Sequence, residues 1–372
     1  MPRRLAFFSP FYSLRIKKYK REKPPNPPER FPFLKLPYFP LKYVINQLEL
    51  VDVIHFTMKN RRFKRAVEST KFHVDQFHFH LGTWSKRVEV THQGQSFEIE
   101  PDHEENEYES TGLKLNGVVT PICCRPTELK VFAENAEAKM DVLDEITQHL
   151  LSCLCVRTFT AKFLVKCDFE NLFIWKYVKN FRKFTIKTVN NTGIVVNSRE
   201  LHFLLEDIKI EKLELDLKVE NGYKYPNYPL QGSNILIHHN HFIDFDKLTI
   251  GPNCVKFIMN KHSIPNSCVN RLLKEWIAGK NEKLEIMEFK LRYLFEGPNS
   301  NEDLLEGITT FENEFMVELR KWVFVDPDVQ LPLIDIRRPS DGRSAFINRR
   351  EWYVCLCVRH PNQARRQQRM NV

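Results

Sequence analysis

Between residues 156 and 289 one apolar pattern returns five times. Two apolar residues bracket a pair of variable positions and a third follows two places on: Val156/Phe159/Ala161, Phe181/Phe184/Ile186, Ile210/Leu213/Leu215, Phe245/Leu248/Ile250 and Leu284/Met287/Phe289. The middle residues stand 25, 29, 35 and 39 positions apart. The closing apolar-x-apolar step has the period of a strand. The intervals carry helix signals. The clearest is "NSCVNRLLKEWIAG", where Val269, Leu272, Leu273, Trp276 and Ile277 form one stripe, Asn266 or Ser267 can cap it, and Gly279 can end it.

Strand-then-helix units at this interval predict a leucine-rich-repeat-like curved, mainly parallel sheet over residues 136–360. An ordinary α/β domain is the alternative. Its first helix is read in "AKMDVLDEITQHLLSCL". Ahead of it, "KFHVDQFHFHLG" and "KRVEVTHQGQSFEIE" alternate apolar and polar residues, with Gly94 at a hairpin turn, so residues 71–135 read as a β-rich connector. Residues 101–110, "PDHEENEYES", form an acidic loop. At the other end, "LIDIRRPSDGRSAFI" and "EWYVCLCVRH" predict a terminal β-hairpin or sheet that closes the domain edge.

The segment from Leu36 to Ser69 follows another rule. Leu41, Val44, Ile45 and Leu48 have i, i+3, i+4, i+7 spacing, Val53, Ile54, Phe56 and Met58 form a second cluster, and "KNRRFKRAVES" a basic third helix. Three short helices in about 40 residues sit at the lower limit for independent folding, so some of these side chains must lie against another protein.

The formal charge of +9 raises the question of nucleic acid until it is located. Residues 1–30 hold nine Lys/Arg against two Glu, residues 361–372 add Arg365, Arg366 and Arg369 without an acid, and the body between them carries −1. The basicity lies in two tails, and nucleic acid is an unlikely partner of the body. The first tail ends in "KPPNPPER", an extended and stiff composition, and both tails are read as disordered. Its "KKYKREK" run is a solvated tail, with a nuclear-import signal or surface-binding patch as the alternative. No apolar run reaches the roughly 18 residues of a membrane span. Nine scattered cysteines with no C-x-x-C fit reduced thiols in the cytoplasm or nucleus.

The chemistry-bearing residue types do not assemble. His78 and His80 share a strand face, but neither they nor His238/His239/His241 have a Cys or carboxylate at ligand spacing. Cys123–Cys124 lack the signature of an activated nucleophile. The phosphate loop, the G-x-S-x-G elbow and H-E-x-x-H are absent from the sequence. The chain is therefore read as a non-enzyme with no cofactor and no metal.

"FPFLKLPYFPLKYVINQLELVDVIHFTMKNRRFKRAV" resembles an F-box. Leu36-Pro37 match its opening pair, Val44, Ile45 and Leu48 its first apolar set, and Asp52-Val53 its acidic-then-apolar step. Ile54, Phe56 and Met58 match the next apolar positions and Arg61-Arg62 the basic pair. Leu50 stands where many relatives have proline, and Lys59-Asn60 where Cys-Ser is usual. Downstream, "SCVNRLLKEWIAGKNEKLEIMEFKL" and "IDIRRPSDGRSAFI" resemble the type 2 F-box-associated domain of nematodes.

The resemblance implies an α/β chain with a small helical F-box over 31–70 followed by the repeat domain. It implies that Leu36, Pro37, Val44, Ile45, Leu48, Val53, Ile54 and Phe56 serve a Skp-type adaptor, which joins the chain to a cullin–RING ubiquitin ligase. The later domain would hold an unknown substrate protein while other subunits transfer ubiquitin. An F-box scaffold outside ubiquitin ligation is the alternative, and a nucleic-acid binder using the basic tails is another. On the sheet, the residues alternating with the apolar set are candidates for the substrate: Glu214, Asp216, Lys290 and Arg292, a mixed-charge surface. Because the excess charge lies outside the patterned region, deleting residues 1–30 is expected to leave the melting temperature unchanged in thermal denaturation. A large drop would mean that Phe7, Phe8, Phe11 or Tyr12 pack on the body.

Overall fold

The computed structural model describes residues 33–83, 85–102, 112–115, 118–188, 193–260, 264–290, 301–311, 333–350 and 353–359. The extension over 1–30, the tail over 361–372 and most of the acidic loop lie outside them. Three short helices come first: α1 (Tyr38–Asn46), α2 (Leu50–Lys59) and α3 (Arg61–Thr70). Their ends are set locally. Pro37 precedes α1 with a φ of −54°, and the side chain of Asn60 accepts from the Arg62 and Phe63 N–H groups at 2.9 and 3.1 Å to cap α3. Lys71, in the left-handed region at φ 53°, ends α3. Ile45, Val53, Ile54 and Val67 are fully buried and join the core of the body.

The next strands are β1 (Phe72–Leu81), β2 (Lys86–His92), β3 (Gln95–Asp102), β4 (Gly112–Leu115), β5 (Val118–Cys124) and β6 (Glu128–Phe132). Gln93 and Gly94, both at positive φ, make the tight turn between β2 and β3. Helix α4 (Ala136–Cys153) follows, capped by Asn135 through the Ala138 N–H at 2.8 Å. It packs on β2, β3 and β7 and also meets α2 and α3, and α2 itself reaches β3 and β4. The helical segment therefore buries much of its apolar surface against this chain.

The rest of the body comprises β7 (Leu154–Phe163), β8 (Asn180–Ile186), β9 (Ile194–Val196), α5 (Ser198–His202), β10 (Lys209–Leu215), β11 (Leu217–Val219), β12 (Asn234–Ile237) and β13 (Lys256–Met259). It closes with α6 (Asn266–Ile277), β14 (Ile286–Lys290), α7 (Asn301–Leu305), β15 (Leu333–Arg337), β16 (Ser344–Arg350) and β17 (Tyr353–Val358). Fifteen strands form one sheet in the order β15-β16-β17-β14-β13-β12-β10-β8-β7-β1-β2-β3-β6-β5-β4, and β11 pairs with β9 apart from it. The run from β1 through β7, β8, β10, β12 and β13 to β14 is parallel, with antiparallel strands on both flanks.

Two of the expected repeats shift. Phe245, Leu248 and Ile250 are not a strand; the strands here are β12 and β13, with Ile235/Ile237 and Phe257/Met259 turned inward. The loop stays irregular because the carbonyls of Phe245 and Leu248 accept from the Arg271 guanidinium of α6 at 2.6 and 2.7 Å rather than from a neighbouring strand. On β7 the register sets Ala161 and Phe163, not Phe159 and Ala161, beside Phe184 and Ile186. The stripe of α6 is buried as expected and Gly279 ends it at φ 81°, but Pro265 takes the N-cap position without a side-chain bond. The hairpin after β15 is fastened to α6 by Arg338, whose buried guanidinium lies 4.7 Å from the Trp276 ring centroid.

Leu213 sits in the middle of the parallel run at 3% exposure. Leu213→Ala is expected to cost about 2–5 kcal/mol in urea unfolding. A cost near zero would mean that the inward row of β10 does not carry the core.

Candidate functional site

Two surfaces emerge from this fold. The first lies on α1. Leu41 and Ile45 turn one side of the helix into the core, and the other side is left with Phe39 and Tyr43, exposed by 80 and 70%, while Tyr38, in the first turn on the stripe of Leu41 and Ile45, is exposed by 46%. The remaining large apolar side chains with such exposure among the described residues are Val195 and Phe311, so the aromatic surface is concentrated here. The Tyr38 and Phe39 rings meet edge to face at 5.4 Å and Lys42 Nζ stands 5.9 Å from the Tyr38 centroid. Of the residues expected to face an adaptor, Pro37 is exposed and Leu36, Val44, Leu48 and Phe56 are half-buried, whereas Ile45, Val53 and Ile54 are wholly interior. Sequence reasoning missed Tyr38, Phe39 and Tyr43. The signal was there for two of them: Phe39 and Tyr43, four positions apart, are bulky aromatics off the stripe of their own helix.

The second surface is the sheet face opposite the inward row, at the carboxyl ends of the parallel strands. Its acids are tied down. Glu214 accepts from the Thr185 hydroxyl at 3.4 Å and pairs with His238 Nε2 at 3.4 Å, while Asn260 reaches the other His238 nitrogen at 3.2 Å. Asp216 was expected on the open face but is only 7% exposed. The Thr188 N–H donates to its carboxylate at 3.3 Å, the Thr188 hydroxyl to its carbonyl at 2.9 Å, and His239 Nε2 lies 3.1 Å away. These bonds bridge consecutive strand ends, so Asp216 shapes the rim rather than presenting a charge. The side chain of Lys290 and the whole of Arg292 lie outside the described residues.

His78 and His80 are half-buried. His78 Nδ1 bonds the Thr160 hydroxyl at 2.6 Å, and burial, with Arg87 and Lys162 nearby, pushes His80 down to about 4. Cations already flank the pair, which opposes metal binding. No group of three His, Cys, Asp or Glu stands at metal-binding distance among the described residues. Burial pushes the thiols of Cys167 and Cys254 up to about 12, away from nucleophilic thiolate. No described helix is long and apolar enough to cross a membrane.

Against known proteins, residues 231–289, the stretch holding β12, β13, α6 and β14, match the family model described as F-box associated. The chain is also 26% identical over 167 residues to the Skn-1 dependent zygotic transcript 15 protein of Caenorhabditis elegans, a match covering 43% of this chain and 47% of that relative. The chain thus spans about half the length of the curated relative it matches. No solved structure matches. The two findings carry the resemblance to nematode F-box-associated proteins, and they indicate no enzymatic family.

Burial holds His55, His80 and His149 each at about 4, against 6.5 in an unfolded chain. Their folded-state pKa values are depressed, so the unfolded chain takes up protons first. Stability is full above pH 6.5 and declines as pH falls toward 4. The urea midpoint is therefore expected to drop between pH 7 and pH 5, and His149→Gln to flatten that drop. A midpoint independent of pH over this range would contradict it.

Proposed function

We propose that this chain is the substrate-recognition subunit of a Skp–cullin–F-box ubiquitin ligase. The helical segment over 31–70 acts as an F-box, and the leucine-rich-repeat-like sheet over 136–360 holds the target, with residues 71–135 extending it. The observation that carries the reading is the aromatic surface on α1: Tyr38, Phe39 and Tyr43 stay in water on a helix that Leu41 and Ile45 anchor in the core. An exposed apolar patch of this kind is the mark of a protein contact. It lies upstream of the segment that matches the F-box-associated family, the order that the resemblance to an F-box followed by this domain implies.

The chain positions its target and transfers nothing itself. Leu36, Pro37, Val44, Leu48 and Phe56 would touch the Skp-type adaptor together with the three aromatics. Ile45, Val53 and Ile54 would act from inside by holding the helices in register. Glu214, Lys290 and Arg292 remain candidates for the substrate side, with Asp216 as their support. The place of action is the cytoplasm or nucleus.

Phe39 and Tyr43 are exposed, so replacing them leaves the core intact. Phe39→Ala with Tyr43→Ala is expected to weaken binding to a purified Skp-type adaptor at least about tenfold in calorimetry, or 1.4 kcal/mol. Circular dichroism should be unchanged. Leu36→Ala with Pro37→Ala should act in the same direction. Wild-type affinity in both double variants would end the F-box reading.

A further inference from the structure

Glu214 and Asp216 are bonded within the chain, whereas no ion pair is described for four lysines of the open sheet face. Lys183 on β8 stands beside Lys212 on β10, Lys212 beside Asn234 on β12, and Asn234 beside Lys256 on β13. Lys162 on β7 lies one step along, across from Thr185. Lys183 and Lys256 are exposed, and Lys212 and Lys162 half-exposed. Strands about 4.8 Å apart place Lys183 and Lys212 as direct neighbours in a row about 15 Å long. Like charges side by side on a sheet destabilise it. The described ion pairs tie Lys64, Lys130, Lys166, Lys176, Lys247 and Lys280 to acids and leave these four out. Burial is the main cause that lowers the pKa of His78, and Lys162, Arg87 and Lys183 add to it against Glu89. Next to the row, Leu236 and Ile258 form an apolar step on the same face, Leu236 half-buried and Ile258 buried, with Glu214 and Glu288 at its two ends.

Resting on the reading of this chain as a substrate-recognition subunit, we propose that the Lys183–Lys212–Lys256 row receives an extended, carboxylate-rich segment of the client protein. Same-side residues of an extended chain recur about every 6.8 Å, a spacing flexible lysine stems can meet. The apolar step takes a hydrophobic residue of the same segment. Nucleic acid fits the face poorly. Single strands need aromatic stacking platforms, and the large aromatics exposed among the described residues are on α1 and at Phe311, not here.

The test uses the full chain and a fluorescein-labelled hexaglutamate peptide, read by anisotropy at low salt. The variant Lys183→Glu/Lys212→Glu/Lys256→Glu is expected to weaken binding at least about tenfold, equivalent to 1.4 kcal/mol, and to gain binding of hexalysine. Lys183→Gln/Lys212→Gln/Lys256→Gln, which adds no charge, should give an intermediate loss with an unchanged circular dichroism spectrum. Lys17→Glu/Lys18→Glu/Lys20→Glu makes the same charge change in the N-terminal extension and should leave binding as it was. The proposal is overturned if the row variants bind like wild type, if the extension variant loses as much as they do, or if a DNA hexanucleotide binds more tightly than hexaglutamate and is lost with the same row. Adaptor affinity measured on the same proteins keeps the two readings apart. Failure of the row with adaptor binding intact leaves the ligase reading standing. Binding at the row by a chain that ignores the adaptor removes the ligase reading alone.

Discussion

From β6 to β15 each strand sets one apolar side chain beside the apolar side chain of the next. The row runs Leu129, Ile99, Val88, Phe79, Ala161, Phe184, Leu213, Ile235, Phe257, Met287, Leu356, Ile347 and Ile334. Nearly all of it is buried. Removing one such side chain from water is worth roughly 1.5–3 kcal/mol. A slip of one residue in any strand would turn its part of the row to the opposite face, so the row fixes register across the whole sheet. It also joins parallel and antiparallel parts into one body.

Everything functional follows from what that row leaves over. Fixing the inward residues sends Lys162, Thr185, Glu214 and Lys212 to the other face, with His238 at the rim. There the strand ends are cross-linked by Thr188, Asp216, His238, His239 and Asn260. Those bonds engage Glu214 and Asp216, while Lys183, Lys212 and Lys256 stand outside them. Towards the other end of the sheet α4 packs on β2, β3 and β7 and meets α2 and α3, while α2 also reaches β3 and β4, so Ile45, Val53 and Ile54 join the core of the body. The exposed aromatics of α1, Phe39 and Tyr43 with Tyr38 beside them, have no such cover, and they are what remains for a partner.

The two surfaces were not equally legible. The helical segment could be read closely because α1 to α3 are short and their local signals, Pro37 ahead of α1, the Asn60 cap of α3 and the i, i+4 pairs, are visible in the sequence. The sheet could be read only in outline. Phe245, Leu248 and Ile250 carry the apolar pattern of a strand yet lie in a loop, because the Arg271 guanidinium satisfies their carbonyls from a helix more than twenty residues away. Asp216 alternates with Leu215 and Leu217 as an outward residue should. Its burial depends on Thr188 and His239, which sit at the ends of other crossovers.

The sequence by itself determined the local periods: helices ahead of residue 70, a hairpin at Gly94, strand-and-helix alternation after residue 136, and a closing sheet around the Gly342 turn. These depend on neighbours a few residues apart, and residue type alone encodes them. It also placed the excess positive charge in the two tails. Only the tertiary structure decided which alternating residues meet across strands. Lys183, Lys212 and Lys256 are separated by dozens of positions and become a row only when three crossovers bring β8, β10 and β13 into register. The same register engages Glu214 and Asp216 in internal bonds and leaves the three lysines of the row outside them.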